Sequence, residues 1–466
     1  MIPLSLEAVA SAVGGRLCDV PDPSVLMTAP AVVDSREVEP GGLFAALPGE
    51  HADGHAFAAN AVKAGAVAVL AARPVGVPAV VVDDVLDALA ALARTVLAAV
   101  PEAMVIGLTG SAGKTSTKDL IAQVLPELGE TIATVKSFNG EIGMPLTVTH
   151  LDQGVRYIVL EMGARGIGHI SHLTRIAPPT VGLVLNVGTA HVGEFGGREQ
   201  IAKAKGELVE ALPADGLAVL NADDPLVAAM ASRTRARVLN FGIETDADVR
   251  ALDVALDPSG RASFTLAAAG TRARVDLSLH GVHHVSNALG AAAVAIGLGA
   301  GVEKTAAALS RAVLVASGRM EVTDRPDGVR IINDAFNANP DSMKAAFTAL
   351  AAMADGHRTI AVLGEMKELG ADAGEEHRQV GRLVAAAGIH VLIAVGDDDA
   401  SAMAAAAQQD NPQLKVVGAR DRDHALTLAG DLIEAGDIVL VKGSHSVELE
   451  HTAERLAQPG PVTGDR

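Results

Sequence analysis

Short, unbroken apolar runs recur along this chain and limit its fold more tightly than any other feature. One group comprises Met104–Leu108, Tyr157–Leu160, Val181–Leu185 and Leu217–Leu220; a second comprises Thr359–Leu363, His390–Val395 and Ile438–Val441. Amphipathic Ala/Leu segments separate them. Unbroken apolar strands alternating with helical patterns predict an α/β architecture with parallel sheets covered on both faces. Each run is followed by small or polar residues: Thr109-Gly110, Glu161, Asn186, Asn221 with Asp223, Gly364-Glu365, Gly396-Asp397 and Lys442-Gly443-Ser444. Ligands of open α/β sheets bind beyond the carboxyl ends of the strands. Gly, Asn and Asp also serve there as turn formers, an adequate reading for Asn221 or Asp397 alone but a weaker one for the whole series.

With 466 residues the chain exceeds one ordinary core, since a domain takes roughly 100–200 residues. Three domains are expected. Residues 1–100 carry a mixed α/β pattern with Asp34-Ser35-Arg36 after an apolar triplet. Residues 101–317 hold the first strand group. Residues 318–466 hold the second in a Rossmann-like pattern, with a Pro/Gly-rich tail from Gln458 that is expected to be mobile. Aromatic residues make up only 2%, so the cores must be built from Ala, Val, Leu and Ile, as suits helices laid on buried parallel strands.

The formal net charge is −19. So acidic a chain has no general attraction for nucleic acid or anionic membranes, and an anionic substrate would need local donors. The single Cys18 excludes an internal disulfide and a cysteine-based zinc cluster. Met1–Ser5 lacks the basic start and apolar run of a signal peptide, and Ala288–Val302 falls short of the ~20 residues that span a bilayer. A soluble, monomeric, cytoplasmic protein without membrane insertion is expected.

The strongest local signal is Gly110-Ser111-Ala112-Gly113-Lys114-Thr115-Ser116, between an apolar strand and a helical pattern (Leu120, Ile121, Val124). Glycines let backbone amides close on phosphate oxygens, a lysine supplies a point charge to the β- and γ-phosphates, and the next hydroxyl can ligate Mg²⁺. The full pattern would have glycine at Leu108, whereas here it lies one residue earlier, at Gly107. Glu161 and His191 follow the next two strands, where a carboxylate and an imidazole could share a divalent cation. Each taken alone could equally be a surface acid or a turn histidine. Lys205 lies in a helix-like segment, where by itself it reads as a solvated helix lysine, and nothing in the chemistry of Lys203 distinguishes the two. Gly281–Asn287 precedes a small-residue helix; Asn287 could read an adenine edge or simply cap that helix. Ser317–Glu321 and Asn333–Ser342 read as polar loops.

Taken together, and in this order, these segments resemble the Mur ligase family, the ATP-dependent amide-forming enzymes of peptidoglycan precursor synthesis. The resemblance runs over nearly the whole chain: Thr109–Thr115, Glu161-Met162-Gly163, Asn186–His191, Ala204-Lys205, His283–Asn287, Gly318–Glu321 and Asp334–Pro340. Within the family, Asn139–Thr147, Phe336–Met343 and Leu363–Gly370 resemble the subgroup that adds D-alanyl-D-alanine to UDP-N-acetylmuramoyl-tripeptide. The Asp-Asn-Pro-Arg stretch of the diaminopimelate-adding subgroup is missing. Gly140 stands where the subgroup often has a second Asn.

The resemblance implies roles for these residues. Lys114 and the backbone of residues 110–116 would cradle the ATP phosphates. Thr115 and Glu161 would hold one Mg²⁺, and His191 a second, supported by Lys205 at the position of the family's carbamylated lysine. Asn287, Arg319 and Asp334 would contact the nucleotide, and Lys114, Glu161, His191 and Lys205 would be the catalytic set. Ser35 and Arg36 would hold the UDP end of the sugar substrate; Asn139 and Asn337 would also contact substrate. Residues 1–100 would bind the UDP-sugar, 101–317 the ATP and 318–466 the dipeptide. Rival expectations are another ligase of the same class, such as a folylpolyglutamate synthetase-like enzyme, or a P-loop NTPase without ligase activity.

Overall fold

The computed structural model describes residues 1–49, 52–135, 137–188 and 192–458, apart from the side chains of Val192 and Glu194. It is a three-domain α/β structure built on three main sheets. The first has five strands in the spatial order Arg16–Cys18, Ala79–Val81, Ala68–Ala71, Leu43–Ala45, Ala31–Val32, all parallel except the first pair. The third has six, in the order Glu321–Asp324, Arg330–Asn333, Ile438–Lys442, Thr359–Gly364, Val391–Val395, Lys415–Ala419, again with one antiparallel pair at the edge.

The middle sheet carries the phosphate-loop strand. Its parallel part runs Arg237–Gly242, Leu217–Asn221, Val181–Val184, Met104–Thr109, Tyr157–Glu161, Thr131–Ala133. Successive side chains of a strand point to opposite faces, and here both faces are covered. Val105, Ile158 and Leu160 enter one core, while Ile106, Leu108 and Val159 enter another. That is why these strands read as unbroken apolar runs.

Beyond Arg237–Gly242 the sheet is extended by Val249–Leu256, Arg261–Ala268 and Thr271–His280, the last two joining as antiparallel neighbours. These strands were not expected, because they alternate rather than run apolar: Phe264 and Leu266 are buried between more exposed neighbours. Of the tail expected to be mobile, all but Gln458 lies outside the described residues. Among the described residues no helix is long and apolar enough to cross a membrane.

Candidate active site

Strand Met104–Thr109 ends at the loop that opens helix Lys114–Val124. Gly113 adopts φ +78°, and a Cβ there would lie 2.3 Å from Asn287 Oδ1, so the loop needs glycine both for its turn and for close approach of that amide. Lys114 Nζ donates to the Gly110 carbonyl at 2.9 Å. Asn186, at the end of the neighbouring strand, shapes the loop from below: its Oδ1 accepts the Ser111 and Ala112 N–H groups, each at 2.9 Å.

Thr115, in the first turn of helix Lys114–Val124, meets Glu161 at the end of the neighbouring strand, Thr115 Oγ1 donating to Glu161 Oε2 at 2.8 Å. The other carboxylate oxygen accepts Asn139 Nδ2, also at 2.8 Å, so Asn139 orients Glu161. Ser137 Oγ lies 3.0 Å from Thr115 Oγ1. Arg319 reaches in from the C-terminal side, its Nη2 donating to Thr115 Oγ1 at 2.9 Å and Ser137 Oγ at 3.1 Å. Its guanidinium lies 4.1 Å from the centre of the Phe336 ring, a cation–π contact. Burial pulls the Lys114 and Arg319 pKa values down, partly offset for both by Glu161.

Lys205 is buried in helix Arg198–Glu210, whereas Lys203 on the same helix is exposed. Desolvation, reinforced by repulsion from Lys114, holds the Lys205 amine well below its ordinary pKa. Asn287 lies inside helix His283–Gly297 rather than capping it, since the helix begins five residues earlier than its apolar stretch from Ala288 suggests. Burial likewise holds His283 and His284 below the usual imidazole range. Asp334 is anchored twice: Oδ1 accepts the Met320 N–H at 3.1 Å and Oδ2 accepts Lys442 Nζ at 2.7 Å. The same ammonium donates to the Asn337 carbonyl at 2.9 Å.

Ser111–Ser116, Asn139, Glu161, Lys205, Asn287, Arg319, Asp334 and Asn337 line one cleft of about 1040 Å³ between the middle and C-terminal sheets. Among the described residues, four polar atoms of the lining are buried without a protein partner: Ser111 Oγ, His283 Nδ1, His284 Nε2 and Arg319 Nε. Orphaned polar atoms of this kind call for a polar ligand. Among the described residues no three His, Cys, Asp or Glu side chains gather as a metal cage. The Thr115–Glu161 oxygen pair does fit Mg²⁺, which takes one or two carboxylates and leaves its other positions to phosphate and water.

His191 lies outside the described residues. Ser35 and Arg36 are not among the residues that line the cleft; Arg36 is exposed and paired with Asp34 at 2.6 Å, which lowers the Asp34 pKa to about 2. Ser137, and the loop-shaping role of Asn186, escaped sequence reasoning. Asn186 at a strand end was a signal; Ser137 gave none.

Three family models match the chain: the Mur ligase family catalytic domain over residues 32–97, the Mur ligase middle domain over 108–295, and the Mur ligase glutamate ligase domain over 318–445. The chain belongs to the Mur ligase family. This Mur ligase is 46% identical to the UDP-N-acetylmuramoyl-tripeptide–D-alanyl-D-alanine ligase of Mycobacterium bovis, over 98% of each chain. Its fold matches the crystal structure of MurF from Acinetobacter baumannii with a TM-score of 0.87 at 31% identity, covering 98% of this chain and 100% of that one. It also matches the MurF ligase from Thermotoga maritima in complex with ADP, with a TM-score of 0.77 at 30% identity over 92% and 97% of the two chains.

Proposed function

We infer that this Mur ligase is an ATP-dependent enzyme that joins D-alanyl-D-alanine to UDP-N-acetylmuramoyl-tripeptide in peptidoglycan precursor synthesis. The observation that carries the reading is the 46% identity to a ligase of that name over 98% of both chains. The cleft chemistry supports it, and so does the ADP complex of the Thermotoga maritima relative.

A carboxylate does not acylate an amine at neutral pH until one oxygen becomes a leaving group. Transfer of the γ-phosphoryl group to the tripeptide carboxylate gives an acyl phosphate; the dipeptide amine attacks its carbonyl carbon, and the tetrahedral intermediate expels phosphate. Charge spreads over the phosphoryl oxygens during transfer. Lys114 and Arg319, both poorly solvated, would face those oxygens with undiluted charge. Thr115 and Glu161 would hold a Mg²⁺, with Asn139 setting the Glu161 carboxylate; when bound, the metal adds Lewis-acid stabilisation of the same charge. His191 and a carbamate on Lys205 would serve a second Mg²⁺. Burial shifts the Lys205 amine toward its uncharged form, the nucleophilic form that carbamate formation requires.

Asn287 and Asp334 would contact the nucleotide, and Asn337 the substrate. Ser35 and Arg36, in residues 1–100, would hold the UDP end of the sugar-peptide; residues 101–317 would bind ATP, and residues 318–466 would bring the dipeptide and help exclude water. The enzyme is proposed to act as a monomer. The nucleotide-linked substrates support a cytoplasmic enzyme, and the pathway ties the activity to cell-wall growth, cell shape and division. The test is phosphate release with ATP, sugar-tripeptide and dipeptide omitted in turn. Release only with all three is expected; ATP hydrolysis indifferent to dipeptide would favour a simple NTPase.

A further inference from the structure

The connection from Ala312 to Gly318 joins the middle and C-terminal domains along the protein surface, with Val313 and Val315 exposed by 54% and 77%. It is nevertheless tied down. Gln123 grips Val313 from both sides: its Nε2 donates to the Val313 carbonyl at 2.6 Å, and its Oε1 accepts the Val313 N–H at 3.1 Å. One helical turn earlier, Asp119 Oδ2 accepts the N–H groups of Val315 and Ala316, each at 3.1 Å. The clamp is itself braced. Asp119 Oδ1 pairs with Lys118 Nζ at 2.6 Å, both side chains being buried, and Gln123 Nε2 also donates to the Asp119 carbonyl at 2.8 Å.

Residues 119 and 123 share one helix face, and that helix begins with Lys114 and Thr115. Just beyond the clamp the chain belongs to the other domain: the Gly318 carbonyl accepts the Phe336 N–H at 3.1 Å. The backbone between the two anchorages is only Ser317, with Gly318 turning at φ +70°. Arg319 follows at once and returns to Thr115 and Ser137. One helix therefore both opens at the phosphate loop and anchors the connection to the C-terminal domain.

We propose that Asp119 and Gln123 are positioning residues of the ligation reaction: they confine the pivot of the C-terminal domain to Ala316–Gly318 and so aim Arg319 at the phosphate cleft. This rests on the ligase reading above. Exposed linkers usually satisfy their amides with water; here four side-chain hydrogen bonds instead fix the linker to the nucleotide-binding helix.

The test is Gln123→Ala, which removes half the clamp from a partly exposed position and leaves the helix core intact. With all three substrates its kcat should fall about tenfold, as for loss of two hydrogen bonds expressed in the reacting state. The Kd of a fluorescent ATP analogue should stay within about twofold of wild type, because the phosphate loop is untouched. In an Arg319→Ala background the further loss on adding Gln123→Ala should shrink, as expected for residues acting through one another. Asp119→Asn, which keeps an acceptor for Val315 and Ala316, should retain more activity than Asp119→Ala. A wild-type kcat in Gln123→Ala, equal losses of kcat and ATP affinity, or full additivity with Arg319→Ala would overturn the proposal. A wild-type protein that releases no phosphate with every substrate present would instead contradict the ligase reading and remove the basis of the clamp with it.

Discussion

The Thr115 hydroxyl donates to the Glu161 carboxylate at 2.8 Å, joining the first turn of the phosphate-loop helix to the end of the neighbouring strand. Two residues 46 positions apart thus form one oxygen pair at the floor of the cleft. Glu161→Gln keeps the shape and an acceptor for Thr115 but removes the charge. Its kcat should fall about 10²–10³-fold, with thermal stability close to wild type. Steady-state kinetics beside a melting curve checks this, and activity within twofold of wild type would remove Glu161 from the catalytic set.

Lys205 and Lys203 offer an internal control, two residues apart on one helix with one buried and one exposed. Lys205→Ala should lose about 10–100-fold in activity or more, as when the support of a metal site is removed, and a small carboxylate such as acetate should restore part of it. Lys203→Ala should behave as wild type. Equal losses in the two variants would dismiss a special role for Lys205.

Gly113 has no room for a side chain. Gly113→Ala must hold a left-handed backbone, at about 1–2 kcal/mol, and must also displace the Asn287 amide. The KM for ATP should rise at least about tenfold with little change in that for the sugar-peptide. An unchanged KM for ATP would mean that the loop does not bind the nucleotide.

Lys442 is almost fully buried against Asp334. Lys442→Met leaves that carboxylate without its partner, which should lower stability by about 3 kcal/mol, the lower end for a broken buried pair because Asp334 retains some solvent contact. Denaturant unfolding measures the loss. Asp334 and the Asn337 loop would also be released, so the KM for ATP should rise in the surviving protein.

Much of the fold and site was legible because the signals were local. A strand, a glycine loop and a helix in succession mark the phosphate loop, and single polar residues after apolar runs marked Glu161, Asn186 and Lys442. The family order of motifs supplied Arg319 and Asp334, which no local pattern singles out. The choice between Lys205 and Lys203 was also open to sequence reasoning, since Ile201, Ala204, Lys205 and Leu208 form the i, i+3, i+4, i+7 stripe that helices turn inward. Other relationships exist only in three dimensions. Ser137 meets Thr115 through the return of a loop, and Gln123 meets Val313 across 190 residues. The edge strand Thr271–His280 and its neighbour Arg261–Ala268 were hidden because their apolar residues alternate with small, polar or charged ones.

Oxygen transfer from the tripeptide carboxylate is the most direct measurement of the proposed chemistry. With ¹⁸O in the terminal carboxylate of the sugar-tripeptide, activation as an acyl phosphate carries one labelled oxygen into each phosphate released when the dipeptide amine attacks. Mass spectrometry of the phosphate should find that single label. Unlabelled phosphate, or label in AMP instead, would contradict phosphoryl transfer to the carboxylate.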